Sequence, residues 1–319
     1  MLRSRSKPRS VGSQLLPRRK LSTSLQPSAS ISITHGFPDR VQIYELGPRD
    51  GLQSERVLVD TPEKIRFVDM LSKTGVAAVE TTSFVHPKWV PQMADNVAVM
   101  RGISQRAGVV YPVLVPNLTG FDRAVAAGAS SIAVIGIPSE TFSRKNLNCS
   151  AEEGVRSALA IVQKSVAYDI PCRAYVSCAL GCPFEGPIDK TAVARVATRL
   201  FEAGCYEICL ADTIGCGTPR DMELLLREVT PFVPAERIGV HCHDTYGQVR
   251  MTALANILCA LKYGIRTVDS SAAGLGGCPF AGPAASGNVA TEDVVYMLNG
   301  LGVPTGVDFD GVVEAGEFI

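Results

Sequence analysis

Two hydrophobic periods alternate along most of this chain. Short runs rich in Val, Ile, Ala and Cys read as buried strands, and the longer stretches between them repeat apolar residues every three to four positions, as amphipathic helices do. The strand candidates are 41–46, 76–82, 109–115, 131–136, 172–178, 206–210, 237–241 and 267–271. Between them lie helically periodic segments such as 61–73, 150–167, 189–203, 218–229, 246–263 and 289–300. Two helix starts carry their own signals. Thr61 precedes Pro62, a cap residue ahead of proline at the first helical position. Ser150 lies three residues before Glu153, the spacing of a capping box.

Eight strands separated by helices in about 280 residues match the element count of a (β/α)8 TIM barrel, an α/β fold with a single catalytic domain over 37–319. A doubly wound open sheet is the alternative. No GxGxxG stands between the first strand and the first helix, which counts against a dinucleotide-binding sheet. In a barrel the chemistry must come from just past the strands, on the C-terminal face. The polar residues obey that rule. Arg49 and Asp50 follow the first strand, Glu80 ends the second and Asp212 follows the sixth. His241 and His243 follow the seventh, and a Gly-rich loop with Cys278 follows the eighth.

His241 and His243 are two of the chain's four histidines. Residues i and i+2 of a strand project to one side, so both imidazoles point together. Such a pair alone is equally two strand-end residues bonded to their neighbours. Asp50, from another strand end, adds a carboxylate and makes a mixed nitrogen/oxygen set for a divalent cation. The run from Gly274 to Pro283 reads either as a mobile lid that carries the thiol of Cys278 over the site or as a plain surface loop.

Charge and cysteine usage change the picture in two places. Formal net charge is zero with no basic stripe, which argues against nucleic acid. The charge is uneven, however: Arg3, Arg5, Lys7, Arg9, Arg18, Arg19 and Lys20 precede the first acid, Asp39. Residues 1–36 therefore read as a disordered, Ser- and Arg-rich leader, the composition of a mitochondrial transit peptide. The other reading is a basic tail, since Pro8 and Pro17 interrupt any single helix. Location follows: the mitochondrial matrix, or the cytoplasm. No apolar run of about 18 residues occurs, so no membrane span is expected. The ten cysteines are scattered through apolar runs and read as core thiols in a reducing compartment. Cys178/Cys182 and Cys205/Cys209 lack the CxxC spacing of structural zinc.

Several segments together resemble the 3-hydroxy-3-methylglutaryl-CoA lyase family. They are Gly47-Pro48-Arg49-Asp50-Gly51-Leu52-Gln53, Glu80-Thr81-Thr82-Ser83-Phe84, Asn146-Leu147-Asn148-Cys149-Ser150, Tyr175-Val176-Ser177-Cys178-Ala179-Leu180-Gly181-Cys182-Pro183, Ala211-Asp212-Thr213-Ile214-Gly215, His241-Cys242-His243-Asp244-Thr245-Tyr246-Gly247-Gln248 and Gly274-Leu275-Gly276-Gly277-Cys278-Pro279. The likeness spans roughly 41–319. The Arg-Asp and HxH motifs belong to a wider superfamily of lyases and condensing synthases; the Gly-Gly-Cys-Pro loop and the Ser-Cys-Ala-Leu-Gly-Cys-Pro run are specific to the lyase branch.

The resemblance implies cleavage of 3-hydroxy-3-methylglutaryl-CoA to acetyl-CoA and acetoacetate, as in leucine degradation and ketone-body formation. It implies a Mg2+ or Mn2+ cofactor held by Asp50, His241, His243 and Asn288, although Asn288 is equally placed to cap the helix 289–300. Arg49 is expected to stabilise the developing oxyanion, a salt bridge to Asp50 or Glu80 being its other reading. Cys278 and His241 are the proton-transfer candidates. Glu80 and Asp212 are carboxylates that orient Arg49 or the ligands, with Asp212 alternatively the base. Gln53, Ser83, Arg173 and Tyr175 are expected to help hold the acyl-CoA substrate, or to be polar residues of the barrel interior satisfied locally. A homodimer is the family expectation.

This chain departs from the pattern in three places. It inserts Val249-Arg250-Met251-Thr252 ahead of Ala253-Leu254-Ala255-Asn256. The connection Gly282-Pro283-Ala284-Ala285-Ser286-Gly287 is one residue longer than usual. The chain ends at Phe318-Ile319, where the family continues into another helical segment. Beside the lyase, the alternatives are a lyase for a related 3-hydroxyacyl-CoA, a synthase condensing acetyl-CoA with a 2-oxo acid, and a metal-binding barrel without turnover.

Overall fold

The computed structural model describes residues 36–244, 252–277 and 287–319. The strands are β1 (Gln42–Glu45), β2 (Ala78–Val79), β3 (Thr82–Ser83), β4 (Val113–Leu114), β5 (Ile132–Gly136), β6 (Cys172–Val176), β7 (Glu207–Asp212), β8 (Ile238–Cys242) and β9 (Thr267–Ser270). All pair in parallel, in the order β2-β1-β9-β8-β7-β6-β5-β4-β3. The ends of that order are two pieces of one stave, because β2 and β3 are separated only by Glu80 and Thr81. The Glu80 N–H donates to the Glu45 carbonyl at 2.9 Å, and the Thr81 N–H donates to the Pro112 carbonyl at 3.0 Å. The stave thus bonds β1 on one side and the β4 side on the other. The ladder closes into an eight-stave barrel, and the open-sheet alternative falls.

Around it lie α1 (Thr61–Leu71), α2 (Asn96–Gly102), α3 (Leu118–Ala126), α4 (Glu140–Asn146), α5 (Ala151–Ala167), α6 (Lys190–Glu202), α7 (Pro219–Val229), α8 (Thr252–Lys262), α9 (Thr291–Gly300) and α10 (Phe309–Phe318). Four of them, α2, α3, α4 and α10, lie outside the periodic segments named above. The Ser150–Glu153 capping box forms as its spacing predicts. Thr61 does not cap: α1 has Asp60 at that place, and the Thr61 hydroxyl donates to Asp95 at 2.7 Å. Its bond goes to the neighbouring helix approach instead of to its own first turn. Residues 278–286, which hold Cys278 and the rest of the Gly-rich run, and residues 249–251 lie outside the described residues; Thr252 opens α8.

The alternation of strand side chains builds two cores. Outward residues such as Ile43, Val79, Val134, Val176, Ile208 and Val240 are fully buried against helix residues including Phe67, Val68, Leu225 and Ile257. Inward residues Tyr44, Leu46, Ala78, Leu114, Ala133, Tyr175 and Cys209 fill the barrel. Beside them sits a buried ionic layer. Arg173 donates from Nε to Glu207 at 2.6 Å and from both terminal nitrogens to Asp269 at 3.0 and 2.6 Å. Its guanidinium also lies 4.0 Å from the centre of the Tyr44 ring. Gly239 makes the room, since a Cβ there would stand 2.7 Å from the Arg173 Nη2. Charges this deep are tolerated only when paired on nearly every side.

Candidate metal centre and active site

The ligand candidates converge at the C-terminal mouth of the barrel. After β1 the chain turns through a short π-helical segment, Gly47–Gly51, that raises Arg49 and Asp50 over the strand end. His241 is in β8, and His243 lies just past it, bridged to Asn288. One ligand atom from each of Asp50, His241 and His243 falls within 4.8 Å of the others. Among the described residues this is the one cluster of His, Cys, Asp and Glu so arranged. Cys178, Cys182, Cys205 and Cys209 are buried and form no such group.

The fourth expected ligand joins them. Asn288 donates from Nδ2 to Asp50 Oδ2 and to the Leu275 carbonyl, both at 3.0 Å, leaving its Oδ1 buried without a hydrogen-bond partner. It caps no helix, because α9 starts at Thr291 with Ala290 at the cap place. A buried acceptor with no donor is costly and calls for a ligand. The imidazole Nε2 atoms of His241 and His243 face one another at 2.8 Å. Burial, then the neighbouring His241, lowers the His243 imidazole to about 3, so it is neutral. Burial alone would raise the Asp50 carboxyl, but the Arg49 guanidinium, the two imidazoles and Asn288 hold it well below the usual carboxylate range. Two imidazoles, an ionised carboxylate and an amide oxygen fit an octahedral hard cation.

Behind the ligand candidates stand their supports. His241 Nδ1 lies 3.4 Å from Asp269 Oδ2, the carboxylate already gripped by Arg173. Carboxylates behind a ligating imidazole fix its tautomer and orientation. Sequence reasoning missed Asp269; its signal was a carboxylate at an inward place in the strand candidate 267–271. Arg173 itself lies deep in the barrel, and its bonds run to Glu207 and Asp269, so it meets the mouth through Asp269.

Arg49 makes both salt bridges open to it. One terminal nitrogen contacts Asp50, and the other donates to Glu80 Oε2 at 3.0 Å. Glu80 Oε2 also accepts from the Tyr175 hydroxyl at 2.6 Å. Burial, then Glu80, raises the Tyr175 phenol well above its ordinary value, so it remains a donor. Arg49 Nε and Glu80 Oε1 are buried and without hydrogen-bond partners. Asp212 ends β7, with its carboxylate accepting from the N–H groups of Cys216 at 3.1 Å and Gly217 at 2.9 Å. Burial pushes the Asp212 carboxyl up to about 6. Ser83 is buried, its hydroxyl accepting from the Val85 N–H at 3.2 Å, and Gln53 is half-buried just past the Arg49–Asp50 turn. Cys278 lies outside the described residues.

Residues 40–319 match the family model described as HMGL-like. The cytoplasmic 3-hydroxy-3-methylglutaryl-CoA lyase of Mus musculus is 58% identical over 284 residues, covering 89% of this chain and 81% of the mouse protein. The mitochondrial hydroxymethylglutaryl-CoA lyase of Mus musculus is 54% identical over 303 residues, covering 95% and 92%. The crystal structure of hydroxymethylglutaryl-CoA lyase from Pseudomonas aeruginosa superposes with a TM-score of 0.84 at 48% identity, over 89% of this chain and 93% of that one. The chain belongs to the HMGL-like family, in its hydroxymethylglutaryl-CoA lyase group.

Proposed function

We propose that this protein cleaves 3-hydroxy-3-methylglutaryl-CoA into acetyl-CoA and acetoacetate. The observation that carries the reading is the convergence of Asp50, His241, His243 and Asn288 beside the Arg49–Glu80–Tyr175 chain at the barrel mouth. Relatives named as lyases, 54% and 58% identical, favour cleavage over condensation with a 2-oxo acid.

The four ligands would hold a divalent cation, Mg2+ or Mn2+, which when bound polarises the oxygens of the substrate and eases loss of the hydroxyl proton. Asp212 accepts the proton of the tertiary hydroxyl, because burial keeps its carboxyl basic enough for the task. As the carbonyl of acetoacetate forms, the carbon–carbon bond breaks and its electron pair leaves with the acetyl thioester as an enolate. Arg49, pinned by Asp50 and Glu80, faces the developing oxyanion with a fixed positive charge. Protonation of the enolate carbon completes acetyl-CoA; His241 and Cys278 are the assigned proton-transfer groups. Gln53 and Ser83 border the acyl pocket, and Tyr175 holds Glu80 in place. The basic leader supports an address in the mitochondrial matrix, and the relatives include both mitochondrial and cytoplasmic forms.

The test follows acetoacetate and acetyl-CoA released from 3-hydroxy-3-methylglutaryl-CoA. Turnover is expected with Mg2+ or Mn2+, lost with a chelator and regained on adding metal. A folded, metal-saturated protein that releases neither product would overturn the reading.

A further inference from the structure

Glu45 is a buried carboxylate that the reaction above does not use. It ends β1, between Tyr44 and Leu46, which face the barrel interior, so its side chain points into the layer between barrel and helices. It is fully buried. Among the described residues its hydrogen-bond donors are two backbone N–H groups and a hydroxyl, with no cation. Oε1 accepts from the Gly47 N–H at 2.8 Å and from the Ala272 N–H at 2.9 Å, while Oε2 accepts from the Thr291 hydroxyl at 2.6 Å. Burial pushes the carboxyl up to about 7 despite these three bonds. A carboxylate without a counter-charge is an expensive way to fill this space.

What it joins explains the cost. Gly47 opens the turn that carries Arg49 and Asp50. Ala272 begins the segment after β9 that leads to Leu275, whose carbonyl accepts from Asn288. Thr291 is the first residue of α9, three residues beyond Asn288, and its hydroxyl also lies 2.8 Å from that of Ser270. The clasp is tight, since a Cβ at Gly47 would stand 2.8 Å from Glu45 Oε1 and 3.0 Å from the Phe67 ring.

We infer that Glu45 is a positioning residue for the cation site: its carboxylate clasps the turn bearing Asp50 to the two segments flanking Asn288, setting the distance between oxygen ligands supplied by opposite ends of the chain. The inference rests on the metal-site reading above. It extends the support of the ligands beyond Asp269, which sits behind His241 alone.

The experiment uses the full chain and Mn2+ itself, with free Mn2+ read by electron paramagnetic resonance. Glu45→Gln keeps the shape but offers one acceptor oxygen in place of two. It is expected to stay folded by circular dichroism and to bind Mn2+ about 10-fold more weakly, the scale of a lost outer support. At saturating Mn2+ the substrate KM should hold while kcat falls. Thr291→Val, which removes one donor of the clasp, should weaken Mn2+ in the same direction, and Thr291→Ser should restore it. Should Glu45→Gln fail to fold, the Thr291 pair decides the question by the same readout. Wild-type Mn2+ affinity in folded Glu45→Gln, or in Thr291→Val, overturns the inference. Wild-type protein that binds Mn2+ without cleaving the substrate sinks the lyase reading and leaves the Mn2+ comparison standing; wild-type protein that binds no Mn2+ sinks both.

Discussion

His241 and His243 turn their Nε2 atoms toward one another at 2.8 Å, two residues apart at the end of one stave. One cation or one shared proton satisfies both, and His243 is held neutral by burial and by His241, so its lone pair is available. The folded protein should therefore bind Mn2+ where the unfolded chain does not. Adding Mn2+ at about 100 times its Kd is expected to stabilise the fold by roughly 2.7 kcal/mol. Thermal unfolding with and without Mn2+ checks this; an unchanged Tm contradicts it.

Arg49 works as a fork, not as a point charge. It reaches Asp50 and Glu80 together, and Glu80 is held in turn by Tyr175. Arg49→Lys keeps the charge but cannot span both carboxylates. We expect kcat to drop about 10²- to 10³-fold, the range for removing a donor to a developing oxyanion. KM and Mn2+ binding should change far less. A near-wild-type kcat in Arg49→Lys would show that the fork is not needed.

As the proposed base, Asp212 should set the acid limb of the reaction. Burial raises its carboxyl to about 6, and the base must be ionised to accept the hydroxyl proton. Activity is thus full above that value and falls as pH drops through about 6, approaching tenfold per pH unit for a single group. The profile of kcat at saturating Mn2+ between pH 5 and 8 tests the assignment. A flat profile down to pH 5 removes Asp212 from the role of base.

The ionic layer below the site is a stability element. Arg173 is fully buried with bonds to Glu207 and Asp269, and truncating it strands two carboxylates. Arg173→Met should cost about 3–5 kcal/mol, the usual penalty for breaking a buried pair. Urea unfolding measures it, and a loss under about 1 kcal/mol would mean that the carboxylates take up protons at little expense.

The parts legible in the sequence are those written within a few residues of each other. The HxH spacing, the Arg49–Asp50 pair and the strand–helix alternation are local patterns, and the barrel and the mouth of the site follow from them. Asp269 and Glu45 escaped notice because each is the one charged residue of its strand. Their meaning lies in partners far along the chain, as Glu45 and Thr291 are 246 residues apart. The second stave breaks at Glu80 and Thr81, where neighbouring staves share its hydrogen bonds, and periodicity does not report that. The helices α2 and α4 span seven residues each, about two turns, too short for a period to emerge.

The central claim is that Asp50, His241, His243 and Asn288 form one cation site on which cleavage depends. The most direct measurement pairs Mn2+ stoichiometry with acetoacetate release on the same preparations of wild type and His243→Ala. The account predicts one Mn2+ per wild-type chain together with metal-dependent cleavage, and loss of both in a folded His243→Ala. A folded His243→Ala that retains wild-type Mn2+ stoichiometry and turnover would contradict it.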